Sequence, residues 1–171
     1  VRAAEPRRET DRLDSGELDA AVVVALPARE SLRSKTLFSE SVACVVREDH
    51  PEVGDSRPLD LYVRLPHALI SPRGAGSTYV DDALAAIGKA RRIAVRVPYF
   101  LVAPMIVARS DLVLTAPRRI VADFARLLPL NVLEPPLELA TFSVALAWHE
   151  RDDADPGHVW MRDALSRAIA A

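Results

Sequence analysis

The sequence predicts an α/β protein built from two similar lobes. Two observations carry that expectation. The first is the stretch from Gly88 to Pro117, which reads as strand, turn, helix, strand and turn. Ile93, Ala94, Val95 and Val97 form an apolar run broken only by Arg96. Pro98 has no N–H to donate and stops sheet pairing. Tyr99 to Ala108 is apolar nearly all round, Leu112 to Leu114 is a second buried strand, and Pro117 opens the next helix. A strand, crossover helix and strand of this kind belongs in a parallel sheet. The second is a repeat. A shift of 92 residues carries Val1 onto Ile93, Ala3 onto Val95, Pro6 onto Pro98, Leu13 onto Met105, Asp19 onto Asp111 and Val22 onto Leu114 without a gap. Two ordinary strand–helix–strand units would read the same way, so the repeat is an expectation for the structure to meet.

The elements follow in order. In the first copy, Pro6 suits the first helical position, Gly16 suits a position just past the helix end, and Leu18 to Val24 is a strand. Thr36 to Val46 reads as one long apolar strand, ended by Glu48, Asp49, His50 and Pro51. Pro58 to Val63 is a short helical turn and His67 to Ser71 a strand. Pro72 to Ser77 is a turn of small residues. Thr78 is a good N-cap with Asp81 three residues on, and Gly88 closes the helix from Tyr79 to Ile87. Arg118 to Leu128 is a helix stopped by Pro129, and Thr141 to Trp148 is a strand. Asp155-Pro156 opens a last helix, in which Trp160, Met161, Ala164, Leu165, Ala168 and Ile169 form an apolar stripe. Measured against the second copy, the first lacks a leading strand and helix.

Composition narrows the function. Net charge is −2 over 171 residues, and no basic run exceeds a pair such as Arg91-Arg92. Gripping nucleic acid needs a clustered basic footprint. No apolar run approaches the ~20 residues of a membrane span. There is no secretory h-region at the start, and Cys44 is alone, so a reducing, cytoplasmic setting is expected. A catalytic serine would need a signature such as G-x-S-x-G, a phosphate loop G-x-x-x-x-G-K-[ST], a metal site paired His or Cys; none occurs, and neither catalytic residues, metal nor cofactor is expected.

Four segments in sequence carry a family resemblance: Leu13 to Val23, Leu37 to Pro51, Gly88 to Pro117, and Ala147 to Arg162. Within them lie Asp49-His50-Pro51, Val97-Pro98-Tyr99-Phe100, Trp148-His149 and Trp160-Met161-Arg162. Together they resemble the effector-binding domain of LysR-type transcriptional regulators, nearest those that respond to aromatic compounds or govern nodulation. The resemblance implies a type 2 periplasmic-binding-protein-like fold. Lobe I would comprise residues 1–47 and 143–171, lacking its first strand and helix, and lobe II residues 48–142. Crossover strands near Val42 to Arg47 and Phe142 to Trp148 would join them around an effector cleft. It also implies a homodimer, a tetramer for a full-length protein, and DNA contact only through a winged helix-turn-helix absent from these residues. A solute-binding protein of a transporter is the alternative.

Open α/β sheets bind ligands beyond the carboxyl ends of their strands. That singles out Ser71, Tyr99, Phe100 and Thr115, with Gly74 in a turn that lets an anionic or carbonyl oxygen approach backbone N–H groups. His67 could meet a phenolate or carboxylate. Each has a plainer reading: a cap, a turn, a core ring, a structural histidine. The apolar helix 99–108 needs cover on both sides. That places a dimer interface at Leu101, Met105 and Ile106, with Leu13 of the pseudo-equivalent helix 7–14 as their partner.

Overall fold

The computed structural model describes residues 6–24, 29–54, 58–71 and 78–170. The chain divides into lobe I, Val1–Glu40 with Thr141–Ala171, and lobe II, Ser41–Ala140. The divisions fall earlier than the expected 47/48 and 142/143. The expected strand Thr36 to Val46 is two strands, β2 (Leu32–Glu40) and β3 (Val42–Arg47), parted at Ser41 and paired into different sheets. Arg118 holds the break: its N–H donates to the Ser41 carbonyl at 2.9 Å and its Nε to Ser41 Oγ at 3.2 Å.

Lobe I contains α1 (Pro6–Ser15), β1 (Ala21–Val24), β2, β8 (Phe142–His149) and α6 (Pro156–Ala170). Its sheet runs β1-β8-β2, antiparallel throughout. Gly16, at φ 76°, ends α1 in the left-handed conformation expected of it. Leu13, Val23, Leu32 and Ala147 form the core between α1 and the sheet. The stripe expected on α6 is only partly covered: Met161, Ala164 and Ile169 are half-buried but Trp160 is 69% exposed, and the buried residue is Arg162. The Arg162 guanidinium lies 4.5 Å from the centre of the Trp148 ring. It donates to the carbonyls of Asp152 and Asp153, ending the 3-10 turn at Glu150–Asp152. A cation with an aromatic face and carbonyl acceptors loses little on burial.

Lobe II contains β3, α2 (Leu59–Arg64), β4 (Pro66–Ile70), α3 (Tyr79–Ala86), β5 (Arg92–Val97), α4 (Ala103–Val107), β6 (Val113–Pro117), α5 (Arg118–Ala125) and β7 (Leu130–Leu133). Its sheet order is β5-β4-β6-β3-β7; β4 is parallel to β5 and β6, and β3 runs against β6 and β7. Side chains alternate across the sheet. Ala43, Val45, Leu114 and Ala116 pack under α4 and α5, while Cys44, Val46 and Val113 pack under α2 and α3. Strand β7 had no expected counterpart. Helix α4 is shorter than the expected 99–108, because Pro104 can donate no amide hydrogen to residue 100 and fits only the first turn. Of the expected repeat, β1, shifted by 92, falls on 113–116, within β6, whereas α1, shifted alike, falls on 98–107, of which only Ala103–Val107 is helix.

Candidate functional site

The carboxyl ends of the parallel strands in lobe II set the site. The Ser71 amide, just past β4, donates to the Val97 carbonyl at the end of β5 at 2.8 Å. Ser71 is buried there. Tyr99 and Phe100 follow Pro98 and stand in solvent, Tyr99 68% exposed. These rings are therefore not core residues. Gly74, in the segment 72–77 expected to be a turn, lies outside the described residues.

Helix α3 begins on a capping arrangement. The Asp81 carboxylate accepts from Thr78 N–H at 2.8 Å and from Thr78 Oγ1 at 2.9 Å. Its other oxygen accepts from Arg91 Nε at 2.7 Å. Burial pushes the Asp81 pKa up, but the hydrogen bonds from Arg91 and Thr78 outweigh it and hold the group below the ordinary carboxylate range. Arg91 has a side chain only 2% exposed. It also donates to Thr78 Oγ1 at 3.1 Å and to Tyr62 Oη at 3.5 Å. Tyr62 Oη then meets Thr115 Oγ1 at 2.8 Å, and Thr115 Oγ1 meets Cys44 Sγ at 3.5 Å. One polar chain thus crosses the α2–α3 face of lobe II from the start of α3 to β3. Burial is the main cause that pushes Tyr62 up to about 12 and Cys44 up to about 11, so both are neutral near pH 7.

Two expected ligand groups are placed differently. Thr115 lies within β6, and its hydroxyl is taken by Tyr62 and Cys44. His67 sits at the opposite end of β4 from Ser71, four residues away at roughly 3.3 Å each. It is fully buried. Its Nε2 donates to the Tyr62 carbonyl at 2.7 Å, its ring meets the Tyr62 ring edge-on at 4.6 Å, and Nδ1 has no partner among the described residues. Burial is the main reason that its pKa falls to about 4. His67 is a neutral core histidine. Among the expected interface residues, Leu101 and Met105 are exposed and Ile106 half-buried. Leu13 is not on the surface: it is 0% exposed in the lobe I core, which corrects its expected role.

Sequence reading missed Arg91, Tyr62 and Cys44 as parts of one network. Arg91 stands in a charged doublet that reads as solvent-facing, and nothing local distinguishes it from Arg92. Among the described residues no cluster could hold a metal ion and no helix is long and apolar enough to cross a membrane.

Residues 1–170 match the LysR substrate binding domain. The chain belongs to that family. It is similar to the HTH-type transcriptional regulator SyrM 1 of Sinorhizobium fredii (strain NBRC 101917 / NGR234), with 36% identity over 161 residues. The match covers 94% of this chain and 48% of SyrM 1. The chain spans about half the length of the curated relatives it matches. Among solved structures it is similar to the regulatory domain of MexT, a transcriptional activator in Pseudomonas aeruginosa. The TM-score is 0.78 at 28% identity, over 92% of this chain and 76% of that one. The effector binding domain of QuiR in complex with shikimate shares the fold, with TM-score 0.73 at 18% identity, over 97% of this chain and 78% of that one. The type 2 periplasmic-binding-protein-like fold of the LysR domain thus stands, and the regulators among its relatives leave the transporter alternative without support.

Proposed function

We propose that this LysR domain is the effector-sensing half of a transcriptional regulator and takes a small aromatic or carboxylic molecule at the carboxyl ends of the parallel strands in lobe II. The observation that carries the reading is the solvent-facing pair Tyr99 and Phe100 just past the end of β5, whose last carbonyl, on Val97, accepts from the amide of buried Ser71. An exposed ring at a strand end offers a flat ligand a stacking surface. The shikimate bound by the QuiR domain shows that a fold of this kind receives a small hydroxylated acid. The effector works by shifting a population of conformations, with a coupling free energy of typically ~1–3 kcal/mol. DNA contact belongs to a part of the regulator outside these residues. The domain assembles as a homodimer through Leu101, just before α4, and through Met105 and half-buried Ile106 of α4.

A thermal-shift screen of phenolic and carboxylic compounds tests the reading. A ligand at a hundred times its Kd adds ~2.7 kcal/mol. Tyr99→Ala should keep the parent melting temperature and lose roughly 0.5–1.5 kcal/mol of binding beyond the area it buries. Unchanged affinity for a compound that stabilises the parent would remove Tyr99 from the site.

A further inference from the structure

The α2–α3 face of lobe II holds a pocket that the strand-end site does not use. Cys44 and Val46 of β3 and Val113 of β6 form its floor, and Leu61 and Tyr62 of α2, with Leu65 just past the helix, its wall. It encloses about 30 Å³ and opens to solvent beside Glu134. A cavity needs roughly 10–15 Å³ to admit one water, and a water also needs polar partners. This pocket has the room but not the partners. The Tyr62 hydroxyl is spent on Thr115 and Arg91, and the Cys44 thiol faces Thr115. At the mouth, both oxygens of Glu134 accept from Arg118 Nη2 at 2.6 Å, which compensates their charge. Interiors are normally packed without such gaps.

We propose that this pocket is a second ligand site, separate from the strand ends, for a small neutral molecule that inserts a methyl or halogen group and leaves its remainder in the mouth. Floor and wall admit no charge and satisfy no extra hydrogen bond, so an anionic effector is excluded by the desolvation it would suffer. The site also has a line outward. Tyr62 is at once the pocket wall and a link in the chain that runs through Arg91 to Asp81 and Thr78, at the start of α3. A guest that moves the Tyr62 ring moves the hydroxyl to which Arg91 Nη1 donates at 3.5 Å, on the same guanidinium that Asp81 and Thr78 bind at the α3 cap.

Toluene, titrated into the protein, tests both parts by methyl and amide NMR. Saturable shifts at the methyls of Val46, Leu61, Leu65 and Val113, with a concerted shift of the Thr78 amide, are expected. Val46→Leu fills the pocket and should reduce those shifts at least several-fold while the thermal unfolding curve keeps its shape. The parent titration decides the matter even if that variant folds poorly. Shifts that are linear in toluene, or that centre on Tyr99 and Leu101, would overturn the site. Saturable methyl shifts with a still Thr78 amide would overturn the link to α3.

Discussion

Leu13 and Met105 hold matching places in the two copies of the repeat, one in α1 and one in α4, yet their surroundings are opposite. Leu13 is 0% exposed and Met105 is 47% exposed. The strands that follow them, β1 and β6, occupy the same shifted positions, but β6 lies inside a five-stranded sheet while β1, among the described residues, pairs with β8 alone. Helix α1 buries Glu9 and Thr10 beside Leu13, and Arg151 closes its end by donating to the carbonyls of Leu13 and Asp14. Helix α4 buries Ala103, Pro104 and Val107 and leaves Met105 to solvent, and Leu101, in the turn before it, is exposed as well. A repeat in sequence therefore transmits the element and not its role. The polar copy is locked into its own lobe, and the apolar copy keeps a face for something else.

The largest effect that would sharpen this contrast is Leu13→Ala. Truncating a fully buried leucine costs about 2–5 kcal/mol. A clear fall in the urea midpoint is expected, and a midpoint within error of the parent would remove Leu13 from the core. Acid comes next and should strike lobe II. The folded pKa of His67 is depressed to about 4 from an ordinary 6.5, so the neutral ring is favoured by folding. That contribution is intact above about pH 6.5 and is lost as pH falls toward 4. A tenfold change in proton affinity is worth about 1.4 kcal/mol, which puts the whole contribution on the order of 3 kcal/mol. Urea midpoints at about pH 7.5 and about pH 5 should separate in the parent and draw together in His67→Asn. Equal separations in both proteins would take His67 out of the acid response. The smallest effect on stability belongs to Met105→Glu. Surface substitutions stay within about 0.5 kcal/mol. The same charge should dissociate the proposed homodimer, read by sedimentation velocity; a variant that sediments like the parent would break the assignment of α4 to assembly.

Much of the fold was legible because its signals are local. Thr78 and Asp81 announced the start of α3, Gly16 and Gly88 the ends of α1 and α3, and alternating or continuous apolar runs the strands around them. What stayed hidden was set by tertiary contact. Nothing in Thr36 to Val46 shows that Arg118 will part the strand at Ser41. A four-residue strand such as Leu130–Leu133 is too short to carry a period. The α6 stripe misled because a cation took the inner position that Trp160 was expected to fill. At the site, the exposed rings after Pro98 were legible from the strand end that precedes them. The burial of His67 and the pairing of Arg91 were not, since polar residues reveal burial only through distant partners.

The central claim is that an effector engages lobe II at the carboxyl ends of its parallel strands. Amide chemical-shift mapping with a compound that raises the melting temperature tests it most directly. The account predicts saturable shifts gathered on Ser71, Val97, Tyr99 and Phe100. Shifts gathered instead around His67 and Ile93, at the other end of the same strands, or confined to lobe I, would contradict it.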